Sequence, residues 1–258
     1  MIRAAFFDID GTLVGFHEEE VRDEVLEALD TLRARGIRVF ISSGRPKGLI
    51  RNVRNYPFDG YITCNGSLVT LGGEILHSAP IRPESALRIA EIAEEHRIPC
   101  AAFFAEEIGI NLHNETTARI NELLHVPTLP LIDLREKVRA EPVYEYTVYV
   151  TEAQWDEFFR GKADRVAWPR WHPAFVDVTP DDSSKATAIA RVLDRLGIDR
   201  SEIIAFGDGG NDIDMLRYAG TGVAMGNADA AVKAAADYVT TDVDADGIRN
   251  ALRHFHLL

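Results

Sequence analysis

Short, predominantly apolar runs alternate with amphipathic stretches at both ends of the chain, and the middle breaks that rhythm. Residues 4–9 and 37–42 are apolar at nearly every position, which fits strands buried on both faces of a parallel sheet. Between them Val21, Val25, Ala28, Leu29 and Leu32 recur at helical spacing and stop near Gly36, predicting one helix. A short helix is expected after Pro46, a third strand at 60–63, and a hairpin joining 68–71 to 74–77 through Gly72-Gly73. The pattern resumes near Val178. Ser183 or Ser184 can cap a helix carrying Ile189, Val192, Leu193 and Leu196 and closed by Gly197. Strands at 202–206, 222–224 and 238–241 then alternate with helices from about Asn211, over 229–236, and from about Asp246.

The middle differs in composition as well as in pattern. Nine of the 11 prolines lie between Pro80 and Pro180, whereas only Gly109 and Gly161 of the 19 glycines do. Helices are expected at 84–96, 116–124 and 152–159, with strands at 101–105, 108–112, 143–150, 165–168 and 175–178. Neither flank alone holds enough strands for a complete sheet. The expectation is therefore an α/β, Rossmann-like parallel-sheet core, residues 1–81 and 178–258, split by an α+β insertion at 82–177.

Charge narrows the partners. With 28 Lys+Arg against 41 Asp+Glu the formal charge is −13, a field that repels nucleic acid and anionic membranes. No apolar stretch reaches 18 residues, and Asp8 interrupts the N-terminal apolar run too early for a signal peptide. Cys64 and Cys100 are too few for a disulfide framework and show no metal spacing, so a cytoplasmic chain with reduced thiols is expected.

Four polar clusters fall at predicted strand ends, where open parallel sheets bind ligands. In Asp8-Ile9-Asp10-Gly11-Thr12-Leu13, two acids spaced by one residue face the same way on an extended chain. Their repulsion calls for a cation or a shared proton, unless both are simply solvated in a turn. Ser42-Ser43-Gly44-Arg45-Pro46 offers a hydroxyl, an open backbone and a guanidinium, a phosphate cradle or an ordinary turn. Lys185 opposes the dipole of the helix it begins, which is costly unless an anion lies nearby. Gly207-Asp208-Gly209-Gly210-Asn211-Asp212 begins like a dinucleotide fingerprint, but Asp212 stands where the last glycine should be and would repel a pyrophosphate.

Together the four clusters resemble, in order and spacing, the motifs of the haloacid dehalogenase (HAD) superfamily of phosphohydrolases. Asn65-Gly66 and Gly222-Val223-Ala224-Met225-Gly226-Asn227-Ala228 are similar to its Cof-type subfamily IIB, whose α/β cap is inserted after the third strand. The chain departs from that branch in having Ser43 where threonine is common and Ala186 where glycine usually follows the lysine. The resemblance implies a Mg2+-dependent phosphatase acting on small phosphate monoesters, sugar phosphates first, through an aspartyl-phosphate on Asp8. It implies Asp10 as general acid and base, and Asp8, the Asp10 main-chain carbonyl and Asp208 as metal ligands. Ser43, Gly44 and Lys185 are implied around the phosphate, Asn211 at the phosphate or a metal-bound water, Asp212 orienting Lys185 or such a water, and Arg45 and Asn65 as further substrate contacts near the phosphate. Asn111, His113, Trp171 and His172 are candidates for reading the leaving group from the insertion. A phosphohexomutase using the same aspartates and a non-catalytic phosphometabolite-binding protein are the alternatives. The partner expected is a small phosphorylated metabolite, with the chain a monomer or weak homo-oligomer.

Overall fold

The structure, a computed structural model, describes residues 1–123, 127–170 and 172–258. The first flank contributes β1 (Ala4–Phe7), α1 (Asp23–Ala34), β2 (Arg38–Ser42), β3 (Gly60–Thr63), β4 (Leu68–Leu71) and β5 (Glu74–Ser78). The middle holds α2 (Pro83–Glu95), β6 (Cys100–Phe103), β7 (Ile108–Ile110), α3 (Glu115–Leu123), α4 (Leu134–Ala140), β8 (Glu145–Val148), α5 (Glu152–Phe158), β9 (Val166–Ala167) and β10 (Val176–Pro180). The second flank adds α6 (Lys185–Leu196), β11 (Ile203–Gly207), α7 (Ile213–Tyr218), β12 (Thr221–Ala224), α8 (Ala230–Lys233), β13 (Tyr238–Val239) and α9 (Gly247–His254). Among the described residues no helix is long and apolar enough to cross a membrane.

The chain divides into two compact units. Met1–Arg45, Ile50–Ser78 and Ser184–Leu258 form one; Pro46–Leu49 and Ala79–Ser183 form the other. The first unit is built on an eight-stranded sheet in the order β13-β12-β11-β1-β2-β3-β4-β5. Its strands are parallel from β13 through β3, β4 runs antiparallel to β3, and β5 runs antiparallel to β4. The alternation of a strand explains its two cores. Phe7 stacks on Phe206 at 4.8 Å on the face that α1 and α9 cover with Val25, Leu29, Leu32, Ile248 and Leu252. Phe6 stacks on Phe40 at 4.8 Å on the other face, against Ala188, Ile189 and Val192 of α6 and Met215 of α7. Gly72 and Gly73 both have positive φ, the backbone a two-residue hairpin turn needs.

The second unit carries a five-stranded antiparallel sheet, β7-β6-β8-β10-β9. One face, with Cys100, Ala102, Tyr146, Val148, Val176 and Val178, packs on Ala86, Ile89 and Ala93 of α2, Leu134 and Val138 of α4, and Trp155 of α5. The sequence pattern gave no expectation of α4. It has just two apolar anchors in seven residues, too short a run to show helical periodicity, although Asp133 caps it by accepting from the Glu136 N–H at 2.8 Å. The expected end of α3 at Leu124, and Trp171, lie outside the described residues.

Candidate active site

The four polar clusters meet at the carboxyl ends of β1, β2 and β11 and at the start of α6. β1 stops at Phe7, and the Asp8 N–H donates to the Phe206 carbonyl at 3.0 Å, so Asp8 hangs from the joint between β1 and β11. Lys185 opens α6, whose first turn is fixed by a reciprocal cap. The Ser184 hydroxyl accepts from the Thr187 N–H at 3.1 Å and the Thr187 hydroxyl from the Ser184 N–H at 2.9 Å, so Ser184 is the cap and Ser183 is not. The lysine side chain is fully buried. Its ammonium donates to Asp8 Oδ1 at 2.6 Å and to Asp212 Oδ1 at 2.5 Å. Here is the anion that a lysine in a first helical turn requires.

Asp212 is held from its other side as well, since Oδ2 accepts the Asp208 and Gly209 N–H groups at 3.0 and 2.9 Å. Asp208 is fixed by the Thr12 hydroxyl, which donates to Oδ1 at 3.0 Å, and by the Asn227 amide, which donates to Oδ2 at 3.2 Å. One oxygen from each of Asp8, Asp208 and Asp212 lies within 4.8 Å of the others. Three carboxylates around one ammonium leave an excess of negative charge in a poorly solvated place. Burial is the largest influence on Asp8 and holds its pKa well above the ordinary carboxylate value; Lys185 opposes this, while Asp212 and Asp208 add to it. Burial and then Asp212 push Asp208 up to about 7, against the opposing pull of Thr12 and Lys185. Burial alone would lower Lys185, yet Asp212 and Asp8 carry it upward.

Asp10 does not join that cluster. The same-face argument assumed an extended chain through both acids, but the chain turns after Phe7, and Asp10 forms an isolated bridge with Val14. Both its oxygens are taken by Arg45: Nε donates to Oδ2 at 2.7 Å and Nη2 to Oδ1 at 2.6 Å. Arg45 thus lies on the second acid of the first motif. The third carboxylate of the cluster comes instead from Asp212.

The remaining candidates gather around Gly44. A methyl group there would lie 3.3 Å from the Asn65 amide and 3.6 Å from the Asn211 amide, and Asn211 donates to Asn65 Oδ1 at 2.9 Å. Cys64 and Asn65 both take positive φ, which turns the Asn65 side chain back toward Asn211 after β3. Ser43 is buried, and its hydroxyl accepts the Arg45 N–H at 3.1 Å.

Asn227 and Thr12 are contacts that motif spacing did not assign to Asp208. Besides holding Asp208, the Asn227 amide donates to the Gly11 carbonyl at 2.8 Å, tying the first motif to the fourth. Asn227 lies 19 residues beyond Asp208 in sequence, so only the folded sheet brings the two together. In the other unit, Asn111 bonds the Cys100 N–H and the Ile98 carbonyl, and His172 accepts the Ala174 N–H and stacks on Phe175. His113 lies 3.0 Å from the Leu129 carbonyl. His172 thus ties its own loop, while Asn111 and His113 each reach a main-chain group of another segment.

Comparison with known proteins identifies the family. A family model described as haloacid dehalogenase-like hydrolase matches residues 5–252. YkrA of Bacillus subtilis (strain 168), whose name makes it a candidate phosphatase, is 32% identical and aligns over 98% of this chain and 97% of its own. Among solved structures, the HAD subclass IIB sugar phosphatase BT4131 shares 38% identity with a TM-score of 0.85, covering 99% of this chain and 100% of the other. The HAD phosphatase BT1666 from Bacteroides thetaiotaomicron shares 33% identity with a TM-score of 0.89, covering 100% and 96%. Sheet order, buried carboxylates and full-length similarity lead to one assignment: the chain belongs to the haloacid dehalogenase-like hydrolases, as a phosphatase of their IIB branch.

Proposed function

We propose that the protein hydrolyses small phosphate monoesters, sugar phosphates foremost, by transferring the phosphoryl group to Asp8 and then to water. The observation that carries this reading is the state of Asp8. It is a buried carboxylate at a strand end, with one oxygen oriented by Lys185 and two further carboxylates beside it. A nucleophile needs that fixed orientation, and covalent capture divides one difficult displacement into two easier ones.

The donor set suits Mg2+. Hard carboxylate oxygens, few in number and carrying more negative charge than Lys185 neutralises, are what this small hydrated cation takes. Asp8 and Asp208 would hold it, with the main-chain carbonyl of Asp10. Asp212 is less available, since its two oxygens already accept from Lys185 and from two backbone N–H groups. Bound there, the ion supplies positive charge that lets an anionic phosphate approach an anionic nucleophile.

The chain's own residues account for the rest. As the Asp8 oxygen forms its bond to phosphorus, the bond from phosphorus to the ester oxygen breaks, and Asp10 gives that oxygen a proton. Water then attacks the acyl phosphate, Asp10 takes a proton from it, and phosphate leaves Asp8 free. Ser43, the open backbone at Gly44, Lys185 and Asn211 bind the transferring oxygens, where charge spreads in the transition state. Asp212 fixes Lys185. The inserted segment is read as the cap of this branch, and the leaving group as a polyhydroxylated metabolite in view of the 38% identity to a sugar phosphatase.

A Mg2+-dependent phosphate-release screen over sugar, polyol, nucleotide and pyridoxal phosphates, ranked by kcat/KM, tests this directly. Asp8→Asn should lose at least about a thousandfold in turnover while remaining folded, the scale on which covalent and acid–base steps are felt. A variant within tenfold of the parent removes Asp8 as nucleophile. Isomerised hexose phosphate in place of free phosphate would transfer the assignment to a mutase.

A further inference from the structure

We propose that Arg45 is a positioning residue for Asp10, and not a phosphate contact: its guanidinium fork sets where the proton-transferring carboxylate points. The proposal rests on the reading of Asp10 as the proton carrier.

Three observations lead there. The pair is two-pronged, with Nε and Nη2 at 2.7 and 2.6 Å from the two oxygens of Asp10, a geometry that fixes the plane of the carboxylate as well as its position. Next, the base of the fork is rigid. The Arg45 N–H donates to the Ser43 hydroxyl at 3.1 Å, and its carbonyl accepts the Cys64 N–H at 3.2 Å, so the β2 end and the corner after β3 both grip its backbone. The third observation concerns what the pair is not for. The side chains are 37% and 41% exposed, and an ion pair so open to water contributes little to stability. An exposed pair with a clamped base and a planar, two-point contact is suited to orientation.

Orientation matters here because Asp10 has a competing place to go. It follows Asp8 by two residues, beside a cluster that already gathers three carboxylate oxygens within 4.8 Å. A cation drawn into that cluster would also attract a free Asp10 carboxylate. Arg45 gives Asp10 an opposite charge outside the cluster and leaves Asp8 and Asp208 as the ligating pair. A lysine at the same position has the charge but lacks the planar fork.

The test is a double-mutant cycle of Arg45→Met and Asp10→Asn in the intact protein with Mg2+. It is run in the steady state on the sugar phosphate with the highest kcat/KM, with single-turnover release from p-nitrophenyl phosphate beside it. Arg45→Met should lower kcat on the sugar phosphate about 10–100-fold, the scale for a misplaced catalytic group. KM and the inhibition constant for inorganic phosphate should stay within about threefold, because ground-state phosphate binding is untouched. In the Asp10→Asn background the same change should add less than about threefold. Release of p-nitrophenolate, a leaving group that needs no proton, should be affected less than release of the sugar. Arg45→Lys should fall between parent and Arg45→Met, which keeps the test open should the methionine variant fold poorly. A raised KM and phosphate inhibition constant with kcat retained would overturn the proposal in favour of a phosphate contact. Full additivity with Asp10→Asn would overturn it too. Should Asp10→Asn alone keep parental turnover on the sugar phosphate, the proton-transfer reading itself falls, a result distinct from additivity.

Discussion

At the scale of single residues the site is a problem of excess charge. Asp8, Asp208 and Asp212 crowd one ammonium, and the cost is felt most clearly at Asp208, where burial and Asp212 push the pKa up to about 7. The unfolded carboxyl titrates near 3.8, so between that pH and about 7 the folded metal-free protein binds the extra proton. Stability from this group is therefore present at low pH and lost as pH rises through that window. A divalent cation needs the ionised form, and at pH 6 it must displace a proton that is already gone at pH 8. The rise in Tm on adding Mg2+ should accordingly be larger at pH 8 than at pH 6, measured by thermal unfolding at equal free Mg2+. Equal rises at both pH values would contradict ligation through Asp208 and Asp8, both of which are raised by burial. Asp8, Lys185, Asp208 and Asp212 all stood out in the sequence, because acids and a lysine at strand ends and in a first helical turn are costly there without partners. What spacing could not supply was the partner: Asp10 with Arg45 and Asp208 with Asn227 are joined by side-chain contacts that only tertiary structure creates.

Elements deliver these residues through their ends. The βα units were readable because parallel strands are apolar on both faces and each helix carries an apolar stripe and a stop, as in α6 with its Ser184 cap and left-handed Gly197. Strand ends were less readable; the apolar run continues to Ile9, but β1 ends at Phe7, and that turn is what sends Asp8 and Asp10 to different partners. α4 was missed for want of length. The corner after β3 makes a sharper demand than the hairpin turn does. Gly66 has φ +99, and a methyl there would run into the Ser184 carbonyl and lie 3.2 Å from the Lys185 nitrogen. Gly66→Ala should destabilise by about 2–5 kcal/mol, combining backbone strain with overpacking, and should disturb activity through the start of α6. Gly197→Ala is the control: φ is also positive at +61, but nothing lies within 4 Å, and about 1–2 kcal/mol is expected. Urea midpoints of the two variants decide it, and equal costs would mean that the contact with Ser184 carries no weight.

For the whole molecule, a net charge of −13 and an anionic substrate look incompatible until the charge is located. The buried lysine and the arginine beside Asp10 set the local field, which a cation on the carboxylates would reinforce, and the distant surface is screened by salt over a Debye length of about 8–10 Å. The fold class was legible at this scale, since a mostly parallel eight-stranded sheet and a separate antiparallel sheet are what the two kinds of sequence rhythm encode. The leaving group was not, because the insertion follows its branch in pattern alone and three of its polar candidates are engaged with main-chain groups of their own unit. The central claim is that phosphorus becomes bonded to Asp8. Mixing the protein with Mg2+ and its best sugar phosphate, quenching in acid during turnover and reducing with borohydride should convert Asp8, and no other carboxylate, to homoserine in peptide mass spectra. An unmodified Asp8 in a protein that is turning over and accumulates a phosphorylated form elsewhere would contradict the account.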